Sequence, residues 1–256
     1  MRDYYREFAA DYHWLFPDEI VSPPGVLGGT STDSIELIEA VAGGLPPGAR
    51  VLDCACGIGT DVMALAHRGF RVTGTDGSAA MVERARLRLP GHDLRTCSWQ
   101  DLPDTLGEPY ELVLCLGNSL VHTGSPEAMV AALSAMRKVL APGGTLVVDS
   151  RNWELLHRER PRIVPAPEVR RRDGVRCRCL YVWDIPEEFG PPCRAEVVML
   201  LEPDGGPVTH RRHVIDFHPF TPGDLATRLR EAGFDVTGTS YRPDRARYAI
   251  SARPAP

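Results

Sequence analysis

At 256 residues the chain is long enough for one large α/β domain with an insertion, or at most two small domains. Its formal net charge of −5 argues against a general nucleic-acid binder, which ordinarily presents a basic field. No apolar run approaches the ~18 residues of a membrane span, and Met1-Arg2-Asp3-Tyr4-Tyr5 lacks a signal-peptide core, so a cytoplasmic protein without nucleic-acid or membrane partners is expected. The cysteines include Cys54/Cys56 and Cys177/Cys179, each pair split by a single residue, whereas zinc ligands are usually two to four apart. Buried reduced thiols and no metal are the expectation.

In chain order, Tyr4 to Phe16 reads as an amphipathic helix rich in aromatics, followed by a Pro23-Pro24-Gly25 turn and a helix from Ser34 to Val41. Strand and helix then alternate. Strands are expected over Arg50–Cys54, Arg71–Thr75, Leu94–Cys97, Glu111–Leu116 and Thr145–Asp149, and helices over Thr60–Arg68, Ser78–Leu89 and Pro126–Leu140. That order implies right-handed crossovers and a parallel sheet, with its ligand site at the carboxyl ends of the strands. After Asp149 the alternation breaks. Val175–Trp183, Ala195–Glu202 and Val208–Phe217 read as longer antiparallel strands, a lid-like insertion, before a helix over Thr221–Ala232 and a closing hairpin of Val236–Tyr241 with Tyr248–Ala252. One domain is therefore expected, with a helical cap over 1–45, a core over 46–150 and 218–256, and an insertion over 151–217.

Val51-Leu52-Asp53-Cys54-Ala55-Cys56-Gly57-Ile58-Gly59 carries the chemistry: an apolar strand entering a tight glycine turn, with Asp76 ending the next strand. Such a turn lets backbone approach a nucleoside, and the acid suits a ribose diol. A dinucleotide fingerprint needs a third small residue, where this chain has Val62, so a cofactor without phosphates, S-adenosylmethionine, fits better. Asp53 is then expected near the methionine amino end. Ala55, Gly57 and Gly59 clear space, Asp76 takes the ribose, and Gly77 and Ser78 belong to the same cofactor-binding set.

Leu114-Cys115-Leu116-Gly117-Asn118-Ser119-Leu120-Val121-His122 and Asp149-Ser150-Arg151-Asn152 sharpen the reading. With the Leu-Asp-x-Ala-Cys-Gly-x-Gly turn, they resemble the glycine and glycine/sarcosine N-methyltransferase family of class I methyltransferases, from the amino-terminal aromatic segment to about Trp153. The resemblance implies a Rossmann-like seven-stranded α/β sheet with an antiparallel β lid and an amino-terminal helical cap. It also implies Ser98 and Trp99 at the adenine, Leu116 and Gly117 beside the cofactor, Asn118 as a catalytic and substrate contact, and Arg151 as a carboxylate-binding arginine. A guanidinium grips a planar carboxylate with two bonds. His122, four residues past Asn118, is a candidate to accept a proton or orient its loop, and Tyr5 and Tyr12 are candidates to roof the pocket through their ring faces. Against these stand ordinary roles: a turn-forming asparagine, an arginine paired with Glu154, a structural histidine and aromatic packing.

The expected reaction is in-line N-methylation of a small carboxylated amine, amino-acid-like, with S-adenosylhomocysteine as product. An O- or N-methyltransferase of a larger specialised metabolite, using the divergent lid, is the alternative. An RNA-binding methyltransferase using the arginines between 158 and 178 is a third reading. The acidic charge and the lack of Asn-Pro-Pro-Tyr or Pro-Cys motifs disfavour it, and arginines alternating on a strand are ordinarily a solvated face. Homo-oligomerisation is left open.

Overall fold

The computed structural model describes residues 4–23 and 32–256. After α1 (Asp18–Val21) and α2 (Thr32–Gly43) come β1 (Arg50–Asp53), α3 (Thr60–His67), β2 (Arg71–Asp76), α4 (Ala79–Arg88), β3 (Asp93–Thr96), α5 (Leu102–Thr105), β4 (Tyr110–Cys115), α6 (Pro126–Lys138) and β5 (Leu140–Arg151). The central strands are covered on both faces, so Leu112-Val113-Leu114-Cys115 is an unbroken buried run rather than an alternating one. Next are α7 (Trp153–Glu159), β6 (Ile163–Pro165), β7 (Arg170–Arg172), β8 (Val175–Asp184), β9 (Cys193–Pro203), β10 (Thr209–Phe217), α8 (Pro222–Glu231), β11 (Phe234–Thr239) and β12 (Arg247–Pro254). Thr221 and Asp224 close a reciprocal capping box at the start of α8.

Seven strands form the main sheet in the order β11-β12-β5-β4-β1-β2-β3, parallel from β5 to β3, with β12 antiparallel to both neighbours. The chain winds outward from β1 through β2 and β3, then returns to β4 on the other side. At the carboxyl ends of β1 and β4 the connections therefore diverge, leaving a crevice. A second, antiparallel sheet runs β10-β9-β8-β6, with β7 also on β8. Along β9 burial alternates: Cys193, Ala195, Val197, Met199 and Leu201 face inward while Arg194 is exposed, the period of a sheet solvated on one side. Among the described residues no helix is long and apolar enough to cross a membrane.

The amino-terminal segment departs from the expected helix. Residues 4–11 form successive turns, with Ala9 N–H donating to Tyr5 C=O and Asp11 N–H to Phe8 C=O, and only Tyr12–Leu15 is helical, as a 3₁₀ turn. Tertiary contacts override the local pattern. Buried Asp11 accepts from His213 Nε2 at 3.0 Å and pairs with Arg211, both on β10, and Phe8 stacks on His213 at 4.3 Å. The Pro23-Pro24-Gly25 turn lies, beyond Pro23, outside the described residues. β5 also begins earlier than expected: Leu140 pairs with Tyr110, and a register shift absorbs Pro142-Gly143-Gly144 before Leu112 meets Thr145. The sequence reading missed α1, α5, α7, β6 and β7, which are too short to show a period.

Candidate active site

The floor of the crevice is the turn from β1 into α3. Gly57, at φ +50°, donates its N–H to Asp76 Oδ2 at 2.9 Å, and Ser78 N–H donates to Asp76 Oδ1 at 2.8 Å. The carboxylate is thus aimed by the backbone, and an ionised carboxylate is an acceptor of the kind a diol's two hydroxyls require. Ser78 stands at the cap position of α4, but its hydroxyl makes no capping bond there. A Cβ on Gly57 would point across the gap at Tyr12 Cε1, 3.9 Å away. Gly59 serves another purpose: its φ is +82°, and a Cβ there would meet Leu89 Cδ1 at 2.7 Å, so it lets α3 pack against the end of α4 rather than lining the cavity. Asp53 is buried beneath the turn, accepts from Ala55 N–H at 3.2 Å, and also stands apart from the lining. Burial, then Asp61, pushes its carboxyl well above the usual range.

A cavity of about 150 Å³ opens above this floor, lined by Ala55, Gly57, Asp76, Gly77, Ser78 and Ser98, among others. Trp99 forms one wall, its Nε1–H donating to Cys54 C=O at 2.8 Å, while Ser98 Oγ donates to Asp101 at 2.6 Å. Tyr5 and Tyr12 roof it, their rings meeting edge to face at 5.7 Å. Burial, then Asp76, raises the Tyr12 hydroxyl above its ordinary pKa. Met81 and Ser119 also line it; single helix and turn positions of this kind carry no signature in a single sequence. Asp61, Asp76 and Asp149 all raise the Asp53 carboxyl further, so acidic groups crowd this floor. A backbone-aimed carboxylate, a glycine face and aromatic walls together fit an adenosyl sulfonium.

At Gly57, Gly117, Tyr5 and Tyr12 this cavity meets a second one of about 600 Å³, bounded on the far side by the inner face of the antiparallel sheet. Leu116, Asn118 and Arg151 line it. The two signature segments interlock here. Asn118, in the left-handed region at φ 63°, donates its N–H to Asp149 Oδ1 at 2.8 Å, and its Oδ1 accepts from Arg151 N–H at 2.9 Å and Ser150 Oγ at 3.2 Å. Asn118 thereby ties the end of β4 to the end of β5. Asn152 caps α7 through Leu155 N–H at 3.1 Å. Arg247, which sequence reading missed, lies opposite Arg151 in the β12 register and pairs with Asp149 at 2.6 Å.

Arg151 is the exceptional group. Its guanidinium lies 5.2 Å over the Trp183 ring, lines the larger cavity, and makes no side-chain hydrogen bond or ion pair among the described residues. Glu154, the partner of the bland reading, is instead engaged by Tyr241 at 3.2 Å. Burial, then Arg247, lowers the Arg151 pKa to about 10, so it remains cationic at neutral pH.

His122 is half-buried beside the roof. Its Nε2 is 2.9 Å from Tyr5 Oη, its ring packs on Tyr4, Tyr5 and Phe217, and burial lowers its pKa from 6.5 to about 4. The unfolded chain binds a proton first as pH falls, so the contribution of neutral His122 is whole above about 6.5 and lost through about 4. His122→Phe is expected to remove ~1.4 kcal/mol per pH unit from the slope of stability in that window, checked by urea unfolding at pH 7 and pH 5. An unchanged slope would mean that the imidazole titrates normally.

The arginines between 158 and 178 have partners within the chain, and Arg170, paired with Glu168, also lines the larger cavity. Arg172 clamps the roof, donating to Phe16 C=O at 2.7 Å and His13 C=O at 2.5 Å and pairing with Asp18. Arg171 pairs with Asp204 and Arg176 with Glu202, both at 2.7 Å. All seven cysteines are free and buried.

Fold and site define the class. Residues 51–144 match the family model described as a methyltransferase domain, and the chain has a class I methyltransferase fold. Over 122 residues the chain is 34% identical to glycine N-methyltransferase of Rattus norvegicus; the match spans 42% of each protein, so the chain aligns with well under half the length of the curated relative. Its structure is similar to DesVI of Streptomyces venezuelae, with a TM-score of 0.76 at 22% identity over 97% of this chain and 98% of that one. It is also similar to the sugar N-methyltransferase KedS8 of Streptoalloteichus, with a TM-score of 0.69 at 25% identity over 87% of each.

Proposed function

We propose that the protein is an S-adenosylmethionine-dependent N-methyltransferase whose acceptor is an amine carrying a carboxylate. The observation that carries this reading is Arg151: a half-buried guanidinium, cationic at neutral pH and without an ion-pair partner among the described residues, facing a cavity continuous with the glycine turn and Asp76. Burying such a charge is costly, and a planar carboxylate with two parallel bonds is its natural complement. The match to glycine N-methyltransferase over the methyltransferase domain supports the acceptor atom. The donor would be held by Asp76, Gly57, Gly77, Ser78, Ser98 and Trp99, with Ala55 and Leu116 beside it, and supplies a methyl group already activated on a sulfonium.

The chain then has only to bind, orient and exclude water, contributions that reach about 7–11 kcal/mol in favourable cases. Tyr5 and Tyr12 close the roof against solvent. Asn118 acts as a positioning residue, fixing the β4 and β5 ends and thus where Arg151 projects. His122 holds Tyr5 through its neutral ring. The test is S-adenosylhomocysteine release from matched pairs such as tyrosine and tyramine, with donor binding followed by calorimetry. The carboxylated member is expected to react at least tenfold more efficiently. Equal turnover of the pair would remove the carboxylate from the reading, and no uptake of donor or product would remove the enzyme.

A further inference from the structure

Glycine displaces the volume of only a few waters of about 30 Å³ each, whereas the cavity beyond Gly117 measures about 600 Å³, in the range that encloses drug-sized ligands. One end belongs to the β1–α3 turn at Ile58, Thr60 and Asp61. The other runs along the antiparallel sheet, where the strand period of two turns Tyr181 and Trp183 of β8, Val197 of β9, and Ile215 and Phe217 of β10 toward the same space. This wall is apolar and wide. It holds a polar handle, the Tyr181 hydroxyl, which makes no hydrogen bond among the described residues and shares the cavity with Arg151 and Arg170, both of which act on it electrostatically. Arg170 lines the same cavity, its side chain 12% exposed, steadied by Glu168 at 3.0 Å.

Resting on the carboxylate reading above, we propose that the acceptor is a carboxylated amine with a ring-sized apolar body and a polar group at its far end, and that Tyr181 with Arg170 forms the subsite for that group. With the carboxylate held at Arg151, the body lies on Val197, Ile215 and Phe217 and the far group reaches the phenol. A small acceptor leaves this wall facing water. A complementary apolar contact is worth roughly tenfold or more per methylene in favourable pockets.

The experiment compares glycine, L-phenylalanine and L-tyrosine as acceptors by S-adenosylhomocysteine release, with S-adenosylhomocysteine binding measured in parallel as a check on folding. KM is expected to fall about 10- to 100-fold from glycine to phenylalanine, and to fall again for tyrosine. Tyr181→Phe should erase the advantage of tyrosine over phenylalanine, and Val197→Trp should raise KM for phenylalanine at least tenfold while product affinity is retained. Should Val197→Trp not fold, the wild-type order of the three acceptors decides alone. Glycine matching or surpassing the larger acceptors overturns the size inference and leaves the carboxylate reading standing. If all three fail while tyramine reacts, the carboxylate reading itself falls.

Discussion

Replacing Arg151 by alanine raises the KM of a carboxylated acceptor about 30- to 1000-fold, or ~2–4 kcal/mol, the usual cost of removing one member of a desolvated charge pair. Donor affinity stays at the wild-type value, because Arg151 lines only the larger of the two cavities. Lysine recovers part of the loss at most: it restores a charge but neither the two-pronged grip nor the contact with the Trp183 face. Stability moves the other way from activity. The guanidinium is half-buried without an ion-pair partner among the described residues, and burial already lowers its pKa to about 10, so Arg151→Met is expected to keep or raise Tm while acceptor binding collapses. Steady-state kinetics, calorimetry with S-adenosylhomocysteine and a thermal melt read the three quantities separately. An unaltered KM would reduce Arg151 to a packing partner of Trp183.

Asp76→Ala is expected to weaken both S-adenosylmethionine and S-adenosylhomocysteine about 100-fold or more, since two hydrogen bonds to a charged acceptor, each about 1.5–3 kcal/mol, would be lost. The equal effect on donor and product is the signature of a ribose contact, because the two molecules differ only at sulfur. Part of the loss comes from the protein itself: the Gly57 and Ser78 N–H groups lose their shared acceptor, and the turn is no longer aimed. Asp76→Asn keeps one carbonyl for these donors and should fall between wild type and alanine. Acceptor KM at saturating donor is expected to be unchanged. Retained affinity in Asp76→Ala would place the diol elsewhere.

The parallel core was legible because its signals are local. Each strand is a short apolar run bounded by turn residues, and Gly57 with Asp76 belongs to a single β-α-β unit whose two ends the crossover must bring together. The segments around Asn118 and Arg151 were legible as a resemblance, but not the reason they go together, which is that the Asn118 amide oxygen binds the backbone of Arg151. Gly59 was given to the ligand when its conformation serves Leu89 and the packing of two helices. The run from Tyr4 to Phe16 was read as a helix because its aromatics recur at helical spacing. In the fold those rings are drawn to Phe8–His213 stacking and to the Asp11 and Arg172 clamps, and the backbone breaks into turns to reach them.

Residue order alone settled the βα alternation, the antiparallel run after Asp149 and the glycine turn after the first strand, since hydrophobic period, capping and turn chemistry act over a few neighbours. Folding decided that Arg151 forms no ion pair among the described residues, that Trp183 supplies its floor, that Arg247 neutralises Asp149, and that Tyr5 and Tyr12 close the roof. These contacts join segments tens to hundreds of residues apart. A pairing at such separation depends on topology, and topology leaves no periodic trace in the chain.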